Sequence, residues 1–135
     1  MTKSTLISWI TSHLEQELSE AKAALGGQAH DTTAQRIREL ESALLMYRFL
    51  PVRDPEPDAV VAPASLIQVD YSGKKTWALI VPHHGGLVTE MDGHLVQVLT
   101  PQSPLGEAAL GKKSGQEVAV QLSSGIRHYR ILQVL

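Results

Sequence analysis

The 135-residue sequence contains no cysteine. That removes disulfides, thiolate nucleophiles and cysteine-based zinc sites, and it fits a reducing compartment. No apolar run approaches the roughly twenty residues of a membrane-spanning helix. Met1-Thr2-Lys3-Ser4 leads into a polar-faced helical pattern rather than a signal peptide. A cytoplasmic protein without a membrane partner is the expectation. Charge of one sign is lacking too: the formal net charge is −2, residues 1–58 carry six basic and nine acidic side chains, and residues 59–135 six and five. No basic run stands out, so nucleic acid is expected to be met only indirectly, through a protein partner.

Chemistry-bearing constellations are equally scarce. Of six histidines, His83 and His84 are adjacent and point apart in an extended segment, while His94 and His128 stand alone. No carboxylate lies at ligand spacing from them, so no metal is expected. Gly85-Gly86 is followed by neither Lys-Ser nor Lys-Thr, and there is no G-x-S-x-G. The chain is not expected to be an enzyme or to carry a cofactor.

What is present begins with two helical patterns over residues 1–50. Ile7, Ile10, Leu14, Leu18, Ala21 and Leu25 recur at steps of three and four, with Glu15, Gln16, Glu17, Glu20 and Lys22 on the other sides. Thr2 or Ser4 would cap the start, and Gly26-Gly27 ends the helix. A second stripe runs through Ile37, Leu40, Leu44 and Tyr47, widened by Ala43, Leu45 and Met46 and closed by Pro51. Asp31, Thr32 or Thr33 would cap it. Two amphipathic helices on a short polar loop pack antiparallel, because each must bury its stripe. The expected reach is roughly 30 Å at 1.5 Å per residue.

Pro51, Pro55, Pro57 and Pro63 then punctuate residues 51–64, which read as a linker. Residues 65–135 read as short strands with one helix. Leu66 to Tyr71 and Thr76 to Val81 form a hairpin on Ser72-Gly73, and Leu87 to Thr89 and Leu95 to Leu99 flank Asp92-Gly93. Val118 to Leu122 and Ile126 to Val134 follow around Ser123-Ser124-Gly125. The class is α+β with an antiparallel sheet, and the same pattern also suits a small open barrel.

Between the last two hairpins lies Gln102-Ser103-Pro104-Leu105-Gly106-Glu107-Ala108-Ala109-Leu110-Gly111-Lys112-Lys113. Ser103 is a good N-cap, Pro104 suits the first helical position, and Gly111 stops the helix, with two lysines at its negative end. This stretch, followed by Gly115-Gln116-Glu117-Val118 and a hairpin ending in Tyr129-Arg130-Ile131-Leu132, resembles the C-terminal domain of the Gre-type bacterial transcription elongation (transcript cleavage) factors. The resemblance covers residues 60–135 closely and the amino-terminal half in outline.

It implies an FKBP-like domain behind a helical hairpin, and RNA polymerase as partner, bound at the rim of its secondary channel. The residues implied in docking are Gln102, Ser103 and Pro104, with Gln102 where the family has Asp or Asn. It further implies that the hairpin tip, His30, Asp31 and Thr33, is where cleavage-competent members present two carboxylates that help hold the polymerase's second magnesium ion. One carboxylate holds a hard divalent cation poorly. Asp31 is the only acid in Gly26–Gln35, and the next, Glu39, is two turns away. The expectation is therefore a channel-binding regulator without cleavage stimulation. The alternatives are a cleavage-competent factor using Asp31, and a self-associating module that buries Leu14, Leu18, Leu40 and Leu44 between chains. An FKBP-like fold does not carry prolyl isomerase activity here: the single Phe, Phe49, lies outside the domain.

Overall fold

The computed structural model describes residues 3–25, 31–51 and 59–135, with the backbone alone at residues 25, 31, 32 and 91. The chain divides into two compact units, Met1–Leu50 and Pro51–Leu135.

The first unit is the helical hairpin. Helix α1 spans Lys3–Leu25 and α2 spans Asp31–Phe49. At 1.5 Å per residue they are about 34 Å and 28 Å long. Of the expected stripes Ile7, Ile10 and Leu14 are buried, as are Ile37, Leu40, Ala43, Leu44 and Tyr47, while Leu18 and Ala21 are half-buried and Leu6, outside the expected stripe, is fully buried. Leu45 departs from expectation and is 56 % exposed. It follows Leu44 by one residue, and a step of 100° carries it off the buried face. Ser4 lies within α1 rather than before it. The expected cap Thr2 and the breaker Gly26-Gly27 lie outside the described residues. Arg36–Glu17 at 2.8 Å, Arg48–Glu15 at 3.5 Å and Lys22–Glu41 at 3.8 Å cross between the helices. All are exposed, so each stabilises by only about 0.2–1 kcal/mol. The apolar seam holds the hairpin, and the ion pairs select its antiparallel register.

The second unit is a six-stranded sheet. Its strands are β1 (Leu66–Tyr71), β2 (Lys74–Ile80), β3 (Val88–Met91), β4 (His94–Leu99), β5 (Glu117–Leu122) and β6 (Gly125–Val134), and helix α3 (Pro104–Ala109) falls between β4 and β5. The spatial order is β3-β4-β2-β1-β6-β5. Ser72-Gly73 and Asp92-Gly93 adopt positive φ and close two-residue hairpins, as read from the sequence.

The α+β class is as expected, but the sheet is not antiparallel throughout: β2 and β4 pair in parallel. The cause is the path of residues 81–87. Val81 donates to the Leu99 carbonyl at 2.8 Å and Gly86 to the Val98 carbonyl at 2.7 Å, so this segment crosses the end of β4. It carries the chain past one strand position, and β4 then fills the gap. The crossing is close. A Cβ on Gly85 would lie 2.8 Å from Thr100 Cγ2 and 3.2 Å from the Thr100 nitrogen, which explains a glycine here without any phosphate.

On one face of the sheet Ile67, Val69, Ala78, Ile80, Val118, Val120 and Ile131 form a core with Val61 and Ala109. Val61 belongs to the stretch read as linker. Residues 52–58 of that stretch lie outside the described residues, but Val61 is buried, Val60 bridges Lys113, and Val61 exchanges backbone hydrogen bonds with Gly111 and Lys112, both at 2.8 Å. The second unit therefore recruits residues amino-terminal to its first strand.

Burial pushes the Tyr47 hydroxyl up from 10.0 to about 12. The folded hairpin favours the neutral phenol, so this stability is complete below pH 10 and is lost as pH rises from about 10 to 12. We expect urea unfolding followed by helical circular dichroism to show wild type losing about 1 kcal/mol more than Tyr47→Phe between pH 9 and pH 11. Equal losses would place Tyr47 in a solvated site.

Candidate docking loop and hairpin tip

The candidate docking loop is built on a turn at the end of β4. The Thr100 carbonyl accepts from the Ser103 nitrogen at 3.0 Å and from the Ser103 hydroxyl at 2.7 Å. Ser103 is extended (φ −71°, ψ 151°), and its Oγ accepts from the Gly106 nitrogen at 3.2 Å. Its hydroxyl is thus used twice inside the loop. Pro104 follows at the first helical position, where its missing N–H costs nothing. Helix α3 then runs for only six residues.

Gly106 is the residue the sequence reading missed. It is buried, and a Cβ there would collide with the Thr100 carbonyl oxygen and lie 2.7 Å from Ser103 Oγ. Only glycine lets the first turn of α3 close over the loop that precedes it. Its spacing of three from the N-cap serine is the signal that could have found it.

With Ser103 spent on capping, the loop offers a partner the exposed Gln102 amide and the exposed Pro104 ring. They border a shallow groove continued by Glu107, Ala108, Leu110 and Lys112 of the helix region and by Ala119 and Gln121 of β5. The groove carries one carboxylate and one ammonium and is open to solvent.

The tip residues are described unevenly. His30 lies outside the described residues. Asp31 is the first residue of α2, and Thr33, in the same turn, is half-buried. The nearest described acids belong to the stem, among them Glu20 on α1, which accepts from Gln16 at 3.5 Å. Glu39 accepts from Gln35 at 3.4 Å and lies 3.9 Å from Arg36. Glu17 is shared between Arg36 at 2.8 Å and His13 at 3.0 Å. Among the described residues no group of three or more histidines and carboxylates is placed to hold a metal ion. His94 packs edge-on against Trp77, with centroids 6.4 Å apart. It sits on β4, three strand spacings from His128 on β6, or about 14 Å.

These contacts rank the loop substitutions by stability. Ser103→Ala removes the cap and is expected to cost about 1 kcal/mol. Gly106→Ala forces α3 away from Thr100 and is expected to cost about 1–3 kcal/mol. Gln102→Ala touches nothing inside the fold and is expected to fall within about 0.5 kcal/mol of wild type. Chemical unfolding of the three variants checks the order; a Gly106→Ala protein as stable as wild type would mean that the approach is not tight.

The same stretch of chain is where comparison with known proteins is most informative. Residues 59–135, more than half of the chain, match the family described as transcription elongation factor, GreA/GreB, C-term. Transcription elongation factor GreA of Syntrophus aciditrophicus (strain SB) is 26 % identical over 128 residues, covering 87 % of this chain and 75 % of the relative. Among solved structures, GreA factor homolog 1 (Gfh1) of Thermus thermophilus is similar at 16 % identity and a TM-score of 0.46, covering 97 % of this chain and 93 % of that one. The GreA/GreB factor of Nitrosomonas europaea is similar at 20 % identity and a TM-score of 0.43, covering 92 % of each chain. The matched span runs from the Val60–Lys113 bridge through the capped helix to the last strand, and by that match the chain belongs to the GreA/GreB family of transcription elongation factors.

Proposed function

We propose that this protein binds RNA polymerase at the rim of the secondary channel through Gln102, Ser103 and Pro104, and regulates elongation without stimulating transcript cleavage. The observation that carries the docking reading is the division of labour in the loop. Ser103 is consumed by Thr100 and Gly106, while Gln102 and Pro104 point outward at the mouth of a groove. A neutral amide at position 102 forms a hydrogen bond, though a weaker one than the carboxylate the resemblance implies at this place.

The reading of the tip rests on charge. A second magnesium ion needs converging carboxylates. Asp31 is the only acid between Leu25 and Glu39, and Glu39 is engaged by Gln35 and Arg36. The self-association alternative is less well supported, because Leu14, Leu40 and Leu44 are already buried within a single chain.

Binding to core RNA polymerase, followed by cleavage of a backtracked complex in the same sample, tests both parts. We expect Gln102→Asp to tighten binding about three- to tenfold, as a charge-assisted hydrogen bond replaces a neutral one. Gln102→Ala should weaken binding, and none of the three proteins should accelerate cleavage. Affinity indifferent to residue 102 would reject the docking assignment. Cleavage that disappears in Asp31→Asn would overturn the reading of the tip.

A further inference from the structure

At the open end of the sheet, on the face that carries the core, three side chains form a stack that the reading above does not use. The rings of Tyr71 on β1 and Tyr129 on β6 lie 5.3 Å apart, tilted by 36°. The Arg127 guanidinium lies over the Tyr71 ring, 5.0 Å from its centroid. Both tyrosines are half-buried, and Tyr129 packs against the core cluster, so the platform is anchored from below. Arg127 itself is exposed. Lys74, in register with Tyr71, adds a second exposed cation beside the rings.

The charge around this stack is one-sided. Strand alternation sends the neighbouring acids to the other face. Asp70 precedes Tyr71, and Glu117 precedes Val118, the partner of Tyr129. There Glu117 meets Arg130 at 3.8 Å. Arg127 has no carboxylate partner among the described residues; its guanidinium lies on the Tyr71 ring instead. An arginine laid flat on a ring is pre-organised. Its outer face remains a planar cation, and its remaining N–H groups form a fork that suits phosphate oxygens.

We propose that Tyr71, Arg127 and Tyr129, with Lys74, form a binding site for single-stranded RNA, taking one or two nucleotides by stacking on the guanidinium–tyrosine platform and holding a phosphate between Arg127 and Lys74. Two π-faces and a stacked guanidinium are the recognised means of binding unpaired bases, and a duplex does not expose them. An acidic peptide would use the two cations and leave the rings without a role. The balanced charge of the chain is compatible with this, because stacking contributes much of the binding and needs no basic stripe.

The test uses the full chain and no polymerase, so its outcome is independent of the docking assignment. Fluorescence anisotropy is read with a labelled twelve-nucleotide oligouridine, with the same length of duplex RNA, and with a twelve-residue polyglutamate peptide. The expected result is a dissociation constant on the order of 100 µM for the single strand at low salt, with weaker binding of the duplex and the peptide. Arg127→Ala and Tyr71→Leu should each weaken it about tenfold, Arg127→Lys should not restore it, and Lys113→Ala should leave it unchanged. Tyr71→Leu keeps apolar cover over the core, and a thermal melt run alongside identifies a variant lost to misfolding, for which Arg127→Lys then decides. No binding at millimolar RNA, binding indifferent to Arg127 and Tyr71, or preference for the peptide would each overturn the proposal.

Discussion

The carbonyl oxygen of Thr100 is the point on which the functional end of the second unit depends. It accepts the nitrogen and the hydroxyl of Ser103, and it faces Gly106 so closely that no side chain fits between. A six-residue helix has no cooperativity of its own to draw on. Helix α3 persists because its first turn is tied to the end of β4 and its last to Val61, through Gly111 and Lys112. Ala109, in its last turn, is fully buried in the core. The loop that presents Gln102 and Pro104 is therefore rigid for reasons that lie almost wholly in the backbone.

The same economy governs the sheet. Leaving a gap for β4 obliges residues 81–87 to cross the end of that strand, and the crossing is tight enough to require Gly85 beside Thr100. Thr100 is thus approached from two sides, by Gly85 and by Gly106. The parallel pairing of β2 with β4 is what brings these two approaches to one residue. A sheet with β3 next to β2 would have no reason for glycine at position 85.

Much of this was legible in the sequence because it is local. Strand alternation, the turn pairs Ser72-Gly73 and Asp92-Gly93, the Ser-Pro cap and the helical seam are each set by residues within one or two turns of one another. What was not legible is non-local. The parallel β2–β4 pair, the recruitment of Val61 and the need for Gly106 all depend on which distant backbone passes nearby. The contact of Arg127 on β6 with Tyr71 on β1 is likewise non-local, because it depends on which strands become neighbours. The tip residue His30 lies outside the described residues, so that part of the site stands on sequence alone.

The hairpin and the sheet also divide their charges differently, and that bears on what each can do. In the hairpin, described glutamates are met across the seam or along a helix: Glu15 by Arg48, Glu17 by Arg36 and His13, Glu39 by Arg36 and Gln35, Glu41 by Lys22. These exposed pairs stabilise little, but each draws a carboxylate toward a cation and so away from a shared metal ion. Glu20 is the exception, meeting the Gln16 amide at 3.5 Å rather than a cation. In the sheet, Glu117 faces Arg130 and Asp70 faces Lys75 on one side, while Arg127 on the other side is exposed and lies on an aromatic ring. Arg127 is thus held in place by an aromatic ring, whereas Arg36, Arg48 and Lys22 of the hairpin are committed to carboxylates.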